Sequence, residues 1–128
     1  AAAADFGPKE RDMVKTSSDL GIWRIDLVSR PKIIDRVKEV SPEIFLVGFK
    51  AEYGVSDEEL VKKAKARMES GGMDLIVAND IARAKVGFGH DTNEAFIIDL
   101  DGGREHLTLR GKEEIASRLL TITKSKMG

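Results

Sequence analysis

Ile44-Phe45-Leu46-Val47-Gly48 and Leu75-Ile76-Val77-Ala78-Asn79-Asp80 frame the stretch of sequence that decides the fold. Each opens with four apolar residues that do not alternate with polar ones, the pattern of a strand covered on both faces. Between them, Ser56-Asp57-Glu58-Glu59 offers an N-cap followed three residues later by glutamate. Leu60, Ala64, Arg67 and Met68 continue at helical spacing until Gly71-Gly72 stops the helix. Residues 44–78 therefore predict a strand–helix–strand unit, and a crossover of that kind joins parallel strands.

Upstream, Ser41-Pro42 closes a helix whose start is signalled by Ser29-Arg30-Pro31 and whose inward stripe is Ile33, Ile34 and Val37. Ile22-Trp23-Arg24-Ile25-Asp26-Leu27-Val28 alternates as a strand does, with Trp23, Ile25 and Leu27 on one side. Residues 7–21 mix glycine, proline and many charges and predict a mobile flap. Ala1-Ala2-Ala3-Ala4 reads either as a short parallel strand or as an artificial alanine start, and pattern alone favours neither. Because it runs into Asp5-Phe6-Gly7-Pro8 as a buried strand runs into its exit loop, the expectation is an excised part of a longer chain. Downstream, residues 94–100 and 105–109 flank Asp101-Gly102-Gly103 as an antiparallel hairpin. A helix follows over 112–122, with Ile115, Leu119 and Ile122 inward and a frayed Lys124-Ser125-Lys126 end. The predicted fold class is α/β: a mixed sheet, mostly parallel with a late antiparallel strand, flanked by helices.

Composition narrows the function classes. A chain of 128 residues fits one domain, which buries roughly two-thirds of its unfolded surface. Its 41% hydrophobic and 34% charged residues are those of a globular protein. Twenty-one basic against twenty-two acidic side chains give a net charge of -1, so no global field recruits nucleic acid or an anionic membrane. Zero cysteines exclude disulfides, thiolate nucleophiles and cysteine-based metal sites. The apolar runs fall far short of the roughly 20 residues that span a bilayer. A cytoplasmic protein is expected, with neither nucleic acid nor membrane among its partners.

Ligands of an open α/β sheet sit beyond the C-terminal ends of its parallel strands. That rule selects Asp5-Phe6, Gly48-Phe49-Lys50 and Asn79-Asp80, three segments distant in sequence. The helix start at Pro31-Lys32-Ile33-Ile34 adds free backbone donors suited to a phosphate, or to ordinary capping. Asp5 suits a ribose hydroxyl, a base or a magnesium ion, and equally a plain turn. Asn79-Asp80 suits the crevice or an Asx turn, and Phe49 a base plane or the edge of the core. Lys15, Lys50 and Arg67 taken singly are surface cations, although a loop lysine such as Lys15 suits a site where charge moves. Gly87-Phe88-Gly89-His90-Asp91 suggests a flexible loop without the spacing of a phosphate loop or dinucleotide fingerprint. His90 and His106 lack metal-ligand spacing, so no metal site is predicted.

Taken together, Ala1-Ala2-Ala3-Ala4-Asp5-Phe6 with Pro8-Lys9-Glu10, Leu46-Val47-Gly48-Phe49-Lys50-Ala51-Glu52, Met73 to Asp80, and Gly87-Phe88-Gly89 with Asp91 and Asn93 resemble the phosphopantothenate-cysteine ligase family. This family, also called phosphopantothenoylcysteine synthetase, often forms the C-terminal half of a bifunctional coenzyme A biosynthesis protein. The resemblance covers nearly the whole chain. It implies a Rossmann-like and ribokinase-like mixed sheet and a two-step ligation of 4'-phosphopantothenate to cysteine through an acyl-cytidylate, with CTP as substrate and Mg2+ accompanying it.

By resemblance, Lys15 is the catalytic flap lysine. Ala1, Asp5 and Pro31-Lys32-Ile33-Ile34 lie at the nucleotide, Phe49 belongs to its pocket, and Arg67 and Gly71 occupy positions where bacterial relatives carry phosphate-facing lysines. Lys50, Asn79 and Asp80 shape the crevice. The resemblance further implies a homodimer whose flap reaches across the interface, and a flavin-dependent decarboxylase domain in the parent chain with no flavin in this portion. The flap motif keeps only its first lysine, in Lys15-Thr16-Ser17-Ser18, and Gly71 removes a second cation, so Lys50 or Lys32 is expected to compensate. The family's glycine-rich segment and its intermediate-stabilising asparagine are absent. Residues 1–128 are therefore expected to be the C-terminal portion of one ligase domain without its N-terminal part, inactive alone. The alternative is a nucleotide-binding module with no catalysis of its own.

Overall fold

Residues 5–9, 17–19, 21–83 and 92–128 are described by the structure, a computed structural model. The chain divides into two units, residues 1–33 and 34–128.

In the first unit, β1 (Phe6–Pro8) pairs antiparallel with β2 (Leu27–Ser29), in the register Phe6 to Ser29 and Pro8 to Leu27. The ribbon is extended by Lys9 N–H donating to the Asp26 carbonyl at 2.9 Å and by Arg30 N–H donating to the Asp5 carbonyl at 2.8 Å. The strand expected over 22–28 thus shrinks to three residues that start at its far end. Trp23, Ile25 and Leu27 do alternate, but all three are exposed. A period of two marks a stable strand only where one face is buried.

The second unit is a four-stranded mixed sheet in the order β3-β4-β5-β6. It is formed by β3 (Val47–Glu52), β4 (Leu75–Asp80), β5 (Thr92–Asp99) and β6 (Arg104–Gly111). The β3–β4 pair is parallel, from Val47 against Leu75 to Glu52 against Asp80, and the other two pairings are antiparallel. The α/β mixed sheet is as expected, and its antiparallel share is larger than the sequence suggested. Helices α1 (Ile33–Val40), α2 (Asp57–Ser70) and α3 (Lys112–Met127) complete the fold. α3 runs through Lys124-Ser125-Lys126, held where Lys126 Nζ meets Asp99 at 2.9 Å and Asp101 at 3.1 Å.

β4 explains the two-sided core. Its Ile76 and Ala78 meet Leu60, Ala64 and Met68 of α2, together with Phe96 and Ile98 of β5. Its Leu75 and Val77 join Ala95, Ile97 and Ile115, with Leu119 and Ile122 of α3 packed against them. Successive side chains of one strand therefore feed opposite layers, and all four must be apolar. The hairpin turn between β5 and β6 places Gly102 at φ +85, a left-handed conformation that suits glycine.

Candidate functional site

The C-terminal ends of the parallel pair are joined by Asp80, which is 5% exposed. Its Oδ1 accepts N–H bonds from Gly54 at 2.8 Å and Ala82 at 2.9 Å, and its Oδ2 accepts one from Val55 at 3.1 Å. Burial pushes this carboxyl up, but the N–H groups of Gly54, Ala82 and Val55 and the Arg83 guanidinium outweigh it and hold it below the ordinary aspartate value. Both lone-pair faces are committed to the turns that follow β3 and β4, so Asp80 braces the C-terminal ends of the parallel pair. Asn79 lies within β4 opposite Ala51, not in a loop beyond it.

Arg83 extends this bracing. It donates through Nη1 to Asp57 Oδ1 at 2.5 Å and through Nη2 to the Val55 carbonyl at 2.9 Å, and lies 3.4 Å from both Asp80 and Glu94. Asp57 first, with Glu94, holds its guanidinium firmly protonated. Glu94 also meets His106 Nε2 at 2.6 Å, and the imidazole stacks on Phe96 at a centroid separation of 4.1 Å. Asp57, Glu94 and His106 are close enough to hold a metal ion. Arg83 already pairs with both carboxylates, however, and the direct His106–Glu94 hydrogen bond fills the space between two of the three ligands. The group is an ion-pair network tying α2, β4, β5 and β6 together.

Phe49 and Lys50 were expected in a loop after a strand ending at Val47. That strand instead begins at Val47 and runs to Glu52, placing both residues inside β3. The parallel pairing with β4 carries the strand past Gly48, which lies beside the Met73 side chain, to Glu52. Phe49 is 71% exposed. Lys50 Nζ sits 2.8 Å from Glu52, and Lys63 reaches the same carboxylate at 3.1 Å. Lys50 and then Lys63 hold Glu52 below the usual glutamate value. Lys50 is therefore a paired cation.

Arg67, in the last turn of α2, donates through Nη2 to Asp35 Oδ1 at 2.5 Å and through Nη1 to Ser70 Oγ at 3.4 Å. Asp35 lies in the first turn of α1, so Arg67 is brought beside that turn, where Ile34 packs on the core. Gly71 is the C-cap of α2, its N–H donating to the Arg67 carbonyl at 3.1 Å. In the first unit, Lys32 Nζ meets the exposed Asp5 carboxylate at 3.7 Å, and Pro31 is exposed beside it, as is Ile33. Ala1, Lys15 and the 87–91 segment lie outside the described residues.

Residues 1–126 match the DNA/pantothenate metabolism flavoprotein C-terminal domain. The chain belongs to this family. It is 43% identical over 119 residues to the "Coenzyme A biosynthesis bifunctional protein CoaBC" of Thermococcus kodakarensis, a match covering 93% of this chain and 28% of that protein. The chain thus spans less than a third of that relative's length. The DNA/pantothenate metabolism flavoprotein from Streptococcus pneumoniae superposes at a TM-score of 0.79 with 27% identity, covering 98% of this chain and 60% of that one. The C-terminal domain of a coenzyme A biosynthesis bifunctional protein CoaBC superposes at 0.67 with 25% identity, covering 98% and 51%.

For a member of the DNA/pantothenate metabolism flavoprotein C-terminal domain family, the structure adds residues that sequence reasoning passed over. Asp35 is 32 positions from Arg67, and Arg83 is 26 from Asp57, so no local spacing announces either pair. Only the Asp80–Arg83 spacing of three was available as a signal.

Proposed function

We propose that the full-length protein ligates 4'-phosphopantothenate to cysteine at the expense of CTP, and that this chain supplies the nucleotide end of the site. The observation that carries the reading is the 43% identity, over 93% of this chain, to a coenzyme A biosynthesis bifunctional protein. A carboxylate oxygen of 4'-phosphopantothenate attacks the α-phosphorus of CTP and pyrophosphate leaves. The cysteine amino group then attacks the acyl carbon of the acyl-cytidylate, CMP departs with the former carboxylate oxygen, and the amine loses a proton.

Lys15 serves this chemistry as a cation placed where charge moves on the α-phosphate. Arg67 faces the phosphates beside the first turn of α1, whose free N–H groups favour anions. Asp5, Phe49 and the Pro31-Lys32-Ile33-Ile34 start hold ribose, base and phosphate, with Ala1 and Gly71 at the edge of the nucleotide. Lys50, Asn79 and Asp80 shape the crevice. Mg2+ is a hard cation that keeps waters and takes phosphate and carboxylate oxygens. The exposed Asp5 carboxylate, only loosely paired with Lys32 at 3.7 Å, fits such a role, whereas the Asp57–Glu94–His106 group, whose Asp57 is held by Arg83 at 2.5 Å, does not. When bound with the triphosphate, the ion offsets its charge.

Exposed Ile22, Trp23 and Ile25 in the first unit support a homodimer with an apolar contact. A fused flavin-dependent decarboxylase is supported by the word bifunctional in the relative's name. Both nucleotide and phosphorylated acid are impermeant anions, which favours the cytoplasm. No described helix is long and apolar enough to cross a membrane. A second reading, a nucleotide-binding module without catalysis, is favoured for the 128 residues taken alone by their 28% share of that relative.

Supplying the full-length protein with 4'-phosphopantothenate, cysteine, magnesium and either CTP or ATP tests the proposal. Equimolar pyrophosphate and ligated product are expected, with the higher catalytic efficiency for CTP. No product with either nucleotide overturns the ligase reading, and equal efficiencies overturn the base preference.

A further inference from the structure

The Arg67 guanidinium is oriented from a second helix. Five N–H donors lie in one plane on this group, and Asp35 and Ser70 each take one. The remainder keep a fixed direction, because the Asp35 carboxylate sits on α1 and not on the helix that carries Arg67. The arginine side chain is 21% exposed and the aspartate 41%. The couple is thus accessible to a ligand without being freely solvated.

The neighbouring position one helical turn on cannot easily share the task. A Cβ at Gly71 would stand 2.7 Å from Met73 Cε and 3.2 Å from the Arg67 carbonyl oxygen. Met73 is 1% exposed and also lies over Gly48, so giving way would disturb the core between α2 and β3. A side chain at 71 would require Met73 to shift, so at this end of α2 the phosphate contact falls to Arg67. A guanidinium makes such a contact through bidentate hydrogen bonds only when its plane is aimed, whereas an ammonium acts as a point charge that needs no such aim.

We propose that Asp35 is a positioning residue: it holds the Arg67 fork against the first turn of α1 so that the free N–H groups bind the polyphosphate of the nucleotide. The inference rests on the nucleotide-dependent ligase reading and adds the residue that sets phosphate geometry. Asp35 touches no substrate and acts through Arg67 alone.

The test uses the full-length protein, with Asp35→Ala, Asp35→Asn, Arg67→Ala and Arg67→Lys, and Asp35→Ala combined with Arg67→Lys. Steady-state ligation gives KM for nucleotide and for cysteine, and equilibrium titration with CTP and ATP gives Kd independently of turnover. Asp35→Ala is expected to raise the nucleotide KM and Kd about fivefold or more, the coupling typical of residues in direct contact. The KM for cysteine should stay unchanged. In the Arg67→Lys background the same substitution should have no such effect, because a point charge has no plane to aim.

An unchanged nucleotide KM and Kd in Asp35→Ala, with Arg67→Ala still raising both, overturns the positioning role. So does an equal effect in the Arg67→Lys background, or a parallel rise for nucleotide and cysteine, which marks a structural role. Asp35→Asn, close in shape, replaces Asp35→Ala if that variant fails to fold. A protein that ligates but ignores Arg67→Ala overturns the couple and leaves the ligase reading standing. A protein that binds nucleotide with this pattern but makes no product overturns the ligase reading and keeps the couple.

Discussion

Asp80 shows how much of a site is settled by one buried carboxylate. Its three backbone N–H bonds fix the turns after two parallel strands, and Arg83 adds the link to α2 and β5. Because the folded carboxyl is held below its ordinary value, the sign of its linkage follows. The stabilisation is fully present above the unfolded value of about 3.9 and is lost as pH falls through the lower folded value. Asp80→Asn removes one acceptor oxygen and the charge. It should lower the thermal midpoint at pH 7 more than Glu105→Gln does, because Glu105 pairs with an exposed Arg118. It should also flatten the loss of midpoint on acidification from pH 5 to pH 3, while Glu52, Asp99 and Glu105, likewise held low, keep part of that slope. Unchanged acid sensitivity in Asp80→Asn would contradict the assignment.

At the scale of elements, α2 was the most legible piece. Ser56 has extended backbone at φ -69 and ψ 161, and its Oγ accepts from the Glu59 N–H at 3.2 Å, as the Ser-x-x-Glu spacing foretold. Ser56→Ala should destabilise the fold by about 1 kcal/mol in urea melts, the usual worth of an N-cap. A variant as stable as wild type would show that Asp57, Glu58 and Glu59 suffice against the helix dipole. The hairpin was equally legible, because Asp101-Gly102-Gly103 can hardly be anything but a turn. Strand limits were less so. Continuous apolar runs announce burial, but the parallel register carries β3 on through Lys50 and Glu52, whose charges satisfy one another on the strand. Alternation in 22–28 misled for the converse reason, since those side chains are exposed. The candidate site was legible only in part: Phe49, Arg67 and Asp80 stand out as residue types, but Asp35 and Arg83 become visible only when distant helices and strands are brought together.

On the scale of the whole molecule, the mixed sheet presents one parallel pair whose C-terminal ends are braced by Asp80 and Arg83, while α1 and α2 meet at Asp35 and Arg67. The central claim is that a carboxylate is activated by nucleotidyl transfer at this end of the sheet. Transfer of an isotope decides it. The full-length protein is given 4'-phosphopantothenate labelled with 18O in its carboxylate, together with CTP, magnesium and cysteine, and the nucleotide products are read by mass spectrometry. One 18O atom per molecule in CMP is the predicted result, because the attacking oxygen stays on the α-phosphorus when the amine displaces it. Product formed with unlabelled nucleotide and 18O in inorganic phosphate would instead show attack on the γ-phosphorus and contradict the account.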